Sequence, residues 1–198
     1  AGALLYLREE ILGLSQYGIV YLLVIGMLGV VVVTGHKIKL AEIGSIIFIA
    51  VYIFVGFYSL YMLRNLSLAH IGYLLLTIWF TDSFAYIGGM RFGKNKLSPK
   101  ISPNKSIEGS VIGSLSSIVI ALVFYFTTSI FTNLAVAIGI TLVVSVIGQF
   151  GDLIESAYKR EYGVKDSSNL LPGHGGIFDR FDSVILSAPC LILLLNLL

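Results

Sequence analysis

The sequence predicts an all-α, polytopic membrane protein with about six membrane-spanning helices. Three observations carry that expectation. The 198 residues are 57% hydrophobic and only 12% charged, whereas a soluble domain is about 45–50% apolar and about 25% charged. A chain this short has no interior large enough to hide so much apolar side chain from water. The apolar residues also fall into blocks of roughly 20, the length that crosses a bilayer as a helix, and the charges gather between the blocks.

Taken in order, the blocks cover residues 14–34, 43–63, 67–90, 108–127, 131–157 and 177–198. Residues 3–12, "ALLYLREEIL", are too short to span and read as interfacial. The longest polar segments are 91–107, "RFGKNKLSPKISPNKSI", and 158–176, "YKREYGVKDSSNLLPGHGG". Pro99, Pro103 and Pro172 argue against helix in them. The whole chain, 1–198, reads as a single transmembrane domain without internal repeats. Its one cysteine, Cys190, excludes an internal disulfide.

Orientation follows from Lys and Arg. Six alternating spans put Lys37, Lys39, Arg91, Lys94, Lys96, Lys100, Lys105, Lys159, Arg160, Lys165 and Arg180 on one side, with only Arg8 and Arg64 on the other. The basic side is expected to face the cytoplasm. An insertion signal alone accounts for Lys37 and Lys39. It does not account for the crowding of the remaining bases into the two long polar segments and the helix start at Arg180.

Acids inside apolar helices are the sharper signal, because an ionised group costs several kcal/mol in the bilayer interior. Asp82 lies in "LLLTIWFTDSFAYIGG", Asp152 and Glu155 lie in "VVSVIGQFGDLIESAYKR", and Asp179 and Asp182 open the last span. Helical spacing puts Asp152, Glu155, Ser156 and Lys159 on one face. All five acids sit near helix ends that flank the basic segments. Mg²⁺ takes oxygen ligands, one or two carboxylates together with substrate phosphates, and Lys and Arg bind the remaining phosphate oxygens. Gly173, Gly175 and Gly176 allow close backbone approach, and the helix start beside them favours an anion. The pattern predicts a phosphate and metal site at the membrane surface. One Cys and the scattered His36, His70 and His174 do not build a structural zinc site.

The stretch Ser156–Asp182, "SAYKREYGVKDSSNLLPGHGGIFDRFD", resembles the signature of the phosphatidate cytidylyltransferases, the CDP-diacylglycerol synthases. Ser156, Lys159, Arg160, Lys165, Asp166, Pro172, His174, Gly175, Gly176, Asp179, Arg180 and Asp182 occupy the signature positions. Tyr158 departs from it, standing where an aliphatic residue is usual. Upstream, "DSFAYIGGMRFGKNKLSPKISPNKSIEG" is similar to the same family, with Ser106 where Thr is common. The resemblance covers roughly residues 80–183 by motif. Family members are usually longer at the N-terminus, so further membrane helices are expected ahead of this chain.

The resemblance implies transfer of a cytidylyl group from CTP to phosphatidic acid, giving CDP-diacylglycerol and pyrophosphate, with Mg²⁺ and room for a second cation. It implies a homodimer in the cell membrane, with a polar site open to the cytoplasm and to lipid, and no nucleic-acid partner. On that basis Asp152 and Asp179, joined by Glu155 and Asp82, are the metal residues. Lys159, Arg160, His174, Arg180 and Asp182 form the catalytic set. Lys94, Ser102, Lys105, Glu108, Ser156, Lys165, Gly175 and Gly176 hold substrate. The chemistry suits such a set. A phosphomonoester already carries about −1.5 to −2 charge near neutral pH, so it needs little help from a base. The obstacle is repulsion between polyanions, which cations and positioning relieve.

Two other classes stay open at this point. A CTP-dependent polyprenol or phytol kinase would also be polytopic but would transfer the γ-phosphoryl group. An ion-coupled transporter would also bury acids in helices, but near mid-bilayer rather than at one surface.

Overall fold

The structure, a computed structural model, describes residues 16–34, 39–164, 166–168 and 176–197. The chain divides into two compact units, Ala1–Tyr58 and Ser59–Leu198. The first holds α1 (Gln16–Val33) and most of α2 (Leu40–Leu66). Neither of the first two turns of α1 nor its last carries a charge, and Thr34 closes the helix by donating its hydroxyl to the Val30 carbonyl at 2.7 Å. Glu42 opens α2 by accepting the Lys39 N–H at 3.1 Å, an acid placed where the helix dipole favours it.

The second unit contains α3 (Leu68–Phe92), a hairpin of β1 (Lys96–Ser98) and β2 (Ser102–Ser106), α4 (Ile107–Ser116), α5 (Ile118–Thr127), α6 (Leu134–Glu161) and α7 (Phe178–Leu195). Among the described residues, four stretches are long and apolar enough to cross a membrane: Ala41–Leu66, Leu68–Phe92, Ile107–Thr127 and Leu134–Glu161. These are the second to fifth blocks read from the sequence. The fold is an α-helical membrane bundle with one small hairpin.

Side chains capable of accepting N–H bonds start these helices. Ser67 accepts the His70 N–H at the head of α3, Ser106 accepts the Gly109 N–H at the head of α4, and Asn133 accepts the Ala135 and Val136 N–H groups at the head of α6. Ser117 interrupts the fourth block without turning it. Its N–H still bonds the Gly113 carbonyl, and its hydroxyl bonds the Ser114 carbonyl.

The unit is apolar outside and partly polar inside, as a lipid-embedded bundle requires. Trp79, Phe126, Val143 and Leu193 point outward. Inside, Tyr73 is fully buried, with Phe124 and Phe131 edge-on against its ring at 5.4 and 5.1 Å. Leu74, Ile78, Val144, Val184 and Leu191 complete the centre.

Glycines set the two closest helix pairs. A Cβ on Gly109 would lie 2.5 Å from the Ala85 carbonyl oxygen and 2.9 Å from the Gly89 Cα. One on Gly113 would lie 2.6 Å from the Thr81 oxygen. So α3 and α4 run antiparallel with their backbones nearly touching. On the other side, a Cβ on Gly151 would lie 2.6 Å from the Asp182 carbonyl oxygen, which draws α6 against the start of α7.

Two segments differ from the simplest reading of the sequence. Of residues 91–107, expected only to be non-helical, Arg91 and Phe92 still belong to α3 and Ile107 opens α4, while the stretch between them folds as an antiparallel hairpin pairing Lys96 with Ser106 and Ser98 with Ser102. The segment 158–176 does not begin at residue 158 in space: α6 continues to Glu161. The stop comes at Gly163, with φ of +66°. The Gly163 N–H bonds the Arg160 carbonyl and the Val164 N–H bonds the Lys159 carbonyl, the paired bonds of a glycine-terminated helix. Lys159 and Arg160 are therefore held on a rigid last turn.

Candidate active site

Three helices meet the hairpin toward one end of the second unit. The C-terminal part of α3 brings Asp82, the last turns of α6 bring Asp152, Glu155, Ser156, Lys159 and Arg160, and the first turn of α7 brings Asp179, Arg180 and Asp182. The hairpin supplies Lys105 from β2.

Two linked carboxylate groups result. In the first, Asp82, Asp152 and Asp182 lie close enough to feel one another's charge, with Lys105 among them. Lys105 Nζ forms an ion pair with Asp152 Oδ2, both side chains 28% exposed. Ser156 donates its hydroxyl to the other Asp152 oxygen at 3.3 Å. In the second group, Lys159 Nζ bridges Glu155 at 2.5 Å and Asp179 at 2.8 Å. Glu155 is completely buried. Asp179 also accepts the Ser167 N–H at 2.9 Å, the Ser167 hydroxyl at 2.7 Å and the Gly176 N–H at 2.7 Å. Asp182 senses Lys159 as well as Lys105 and so joins the two groups.

Gly176 belongs here for steric reasons. A Cβ would lie 2.7 Å from Ser168 Oγ and 3.0 Å from the Ser168 backbone nitrogen. Gly176, just before α7, thus packs against Ser168, and Asp179 bonds both Gly176 and Ser167.

The hairpin is fixed from two sides. Glu108, in the first turn of α4, accepts the Lys94 and Asn95 N–H groups at 3.2 Å and the Asn95 side-chain amide at 2.7 Å. Arg160 Nε donates to the Ile101 carbonyl at 3.3 Å. The hairpin therefore bridges the α3–α4 pair and the end of α6.

The structure brings together Asp82, Lys105, Asp152, Glu155, Ser156, Lys159, Gly176, Asp179 and Asp182, all of them expected from the sequence. Arg160 and Arg180 are exposed at the rim, and the Lys94 side chain is exposed on the hairpin. Ser102 sits half-buried at the start of β2, across from Ser98. Glu108 is engaged with the hairpin backbone. Lys165, His174 and Gly175 lie outside the described residues.

Sequence reasoning missed two things. Ser167 gives Asp179 two hydrogen bonds, and its only signal is its place beside Asp166 in the polar segment. The other is a buried polar chain of Thr81, Ser114, Ser145 and Gln149 beside the acids. Its signal is polar residues recurring inside apolar blocks, which the search for charge passed over.

The donor set fits a hard divalent cation. Both Glu155 carboxylate oxygens are buried; Oε2 is ion-paired with Lys159, and Oε1 accepts no hydrogen bond from the described residues. The surrounding donors are carboxylate oxygens on three helices, with no sulfur beside them. Among the described residues no three His, Cys, Asp or Glu side chains converge into a complete metal shell. That arrangement suits an ion shared with substrate phosphates rather than one caged by protein alone.

Fold and site together define a polytopic membrane protein with an acid- and lysine-rich polar site at one end of its helices. The model of the Cytidylyltransferase family matches residues 3–198, and the chain belongs to that family. It is 46% identical over 144 residues to a phosphatidate cytidylyltransferase of Staphylococcus aureus (strain COL), covering 73% of this chain and 55% of that protein. It is 43% identical over 188 residues to a phosphatidate cytidylyltransferase of Bacillus subtilis (strain 168), covering 93% of this chain and 70% of that protein. The chain thus spans about half the length of the staphylococcal relative.

Proposed function

We propose that the chain is the catalytic part of a phosphatidate cytidylyltransferase. It would transfer the cytidylyl group of CTP to phosphatidic acid at a membrane surface, with Mg²⁺ bound. The observation that carries this reading is the pairing of five helix-borne carboxylates, Asp82, Asp152, Glu155, Asp179 and Asp182, with Lys105 and Lys159 beside a basic hairpin. The family and the names of the relatives supply the chemistry.

In the reaction a phosphatidate oxygen attacks the α-phosphorus of CTP. A P–O bond forms there, the bond from the α-phosphorus to the α–β bridging oxygen breaks, and pyrophosphate leaves. The attacking phosphomonoester is already mostly ionised, so no side chain has to remove a proton. The work is to bring two polyanions together and to hold them in line. Lys159 and Arg160 stand on the rigid end of α6, Arg180 on the first turn of α7 and Lys105 on the hairpin, so cations approach from three elements. Asp152 and Asp179 would hold the metal, with Glu155, Asp182 and Asp82 around them. Bound Mg²⁺ supplies charge neutralisation of the phosphates and orients them. The lysine and arginine bias supports a cytoplasmic facing for this end of the bundle, where CTP is found, and the family resemblance supports a homodimer.

The test follows label from CTP carrying ³²P at the α-phosphorus, with the full-length protein in nanodiscs containing phosphatidic acid. Label should enter the lipid fraction, depend on phosphatidic acid and disappear with a chelator. Asp152→Asn and Asp179→Asn should each lower turnover at least 100-fold, on the scale of losing a main electrostatic contributor, while inserting normally. Near-normal turnover in either variant removes the metal assignment. Label released into water as CDP, with a polyprenol phosphorylated, would replace this reading with a kinase.

A further inference from the structure

We propose that Gln149 is a positioning residue that fixes the register of α3, α4 and α6 and thereby the spacing of Asp82 and Asp152. The inference rests on the metal-site reading above but stands on separate observations.

Thr81 Oγ1 donates to Ser145 Oγ at 2.9 Å, and Ser145 Oγ donates to Ser114 Oγ at 3.1 Å. Gln149 Nε2 donates to the same Ser114 oxygen at 2.9 Å and to the Ser110 carbonyl at 3.3 Å. Thr81, Ser114, Ser145 and Gln149 are all buried, Gln149 to 7% exposure. The chain crosses three helices. It begins at the residue directly before Asp82 and ends three residues before Asp152, less than one helical turn away.

The need for such a device follows from the glycines. Gly89, Gly109 and Gly113 let α3 and α4 approach until backbone meets backbone, and Gly88 makes room for the Ile112 side chain. Where backbone lies on backbone few side chains interlock, so directional bonds beside the contact add to what fixes its register. A slip of one residue would move a carboxylate by about 1.5 Å along the axis. Hydrogen bonds between buried groups are directional and costly to leave unmade, so they select one register. Of the four side chains Gln149 alone has an amide with two protons. It spends both on successive turns of α4, Ser110 and Ser114, and so grips that helix at two points.

Gln149→Leu keeps side-chain bulk and removes both donors. Tyr73→Phe is the control. It breaks a bond of similar depth, Tyr73 to Thr141 at 2.5 Å in the same bundle, that leads to no site acid. Two readouts are taken on full-length protein. The first is Mn²⁺ affinity by electron paramagnetic resonance. The second is the α3–α6 distance by pulsed resonance between spin labels at Ile87→Cys and Phe150→Cys, both exposed positions, with Cys190→Ser. Gln149→Leu should weaken Mn²⁺ binding about tenfold, the usual scale for removing a support behind a metal ligand. It should also shift or broaden the distance distribution. Tyr73→Phe should lower thermal stability and leave both readouts unchanged. An unchanged distance in Gln149→Leu, or equal loss of Mn²⁺ in Tyr73→Phe, overturns the proposal. If the parent protein binds no Mn²⁺, the metal reading fails on its own, and the distance measurement still decides the role of Gln149.

Discussion

Lys159 is the residue on which the buried end of the site depends. Its ammonium holds Glu155 at 2.5 Å and Asp179 at 2.8 Å, and Glu155 is fully buried. A buried carboxylate stripped of its cation keeps its desolvation cost and loses its compensation. Breaking such a pair costs about 3–5 kcal/mol. Lys159→Met should therefore lower the thermal unfolding temperature in detergent clearly, and adding Glu155→Gln should restore much of it without restoring turnover. A single Lys159→Met variant as stable as the parent would show that Glu155 leans on something else. The charged members of this group were legible in the sequence, because an acid in an apolar block stands out and helical spacing alone puts Asp152, Glu155, Ser156 and Lys159 on one face. Ser167 was not. A serine in a polar loop looks like any other, and its bonds to Asp179 cross 12 positions of chain.

At the scale of elements, the tightest constraint is the contact of α3 with α4. Gly109 faces the Ala85 carbonyl and the Gly89 backbone with no room for a Cβ. Gly109→Leu forces the two helices apart, and overpacking of this kind costs about 1–3 kcal/mol. The same change tilts Glu108, the next residue, away from Lys94 and Asn95, so the hairpin should loosen too. Thermal unfolding and the rate of tryptic cleavage at Lys96 and Lys100 would read the two effects. A variant with parental stability and unchanged cleavage would mean that the contact is not tight in the membrane. The helices themselves were legible: each block predicted from residue 43 onward to residue 157 is helical within a few positions at either end, the block 108–127 as α4 and α5. The hairpin was not, for a physical reason. Its strands are three and five residues long, carry Pro103 and lack an alternating apolar face. What holds it is Glu108 and Arg160, contacts from elsewhere in the chain that no local pattern announces. The end of α6 was misplaced for the opposite reason. Lys159 and Arg160 look like loop residues by polarity, and only the positive φ of Gly163 shows where the helix stops.

For the molecule as a whole, the decisive question is which side of the membrane the site faces. The hairpin precedes and the 128–133 loop follows the span Ile107–Thr127. If that stretch crosses the bilayer, Lys100 and Thr132 stand on opposite sides, and both are exposed. The bias of 11 Lys and Arg against 2 predicts that the Lys100 side is the cytoplasmic one. Energetics argue the same way. Asp82, Asp152 and Asp182 cannot be held charged deep in lipid at acceptable cost, so the end of the bundle that carries them must open to water, and the proposed substrate, CTP, would enter from the cell interior. In a Cys190→Ser background, a membrane-impermeant maleimide applied to intact cells should label Thr132→Cys and spare Lys100→Cys. Inverted membrane vesicles should give the reverse. Labelling of both from one side would mean that Ile107–Thr127 does not cross. The reversed pattern would put the carboxylates outside, away from any nucleotide triphosphate, and cytidylyl transfer would have to be abandoned even with every acid in place.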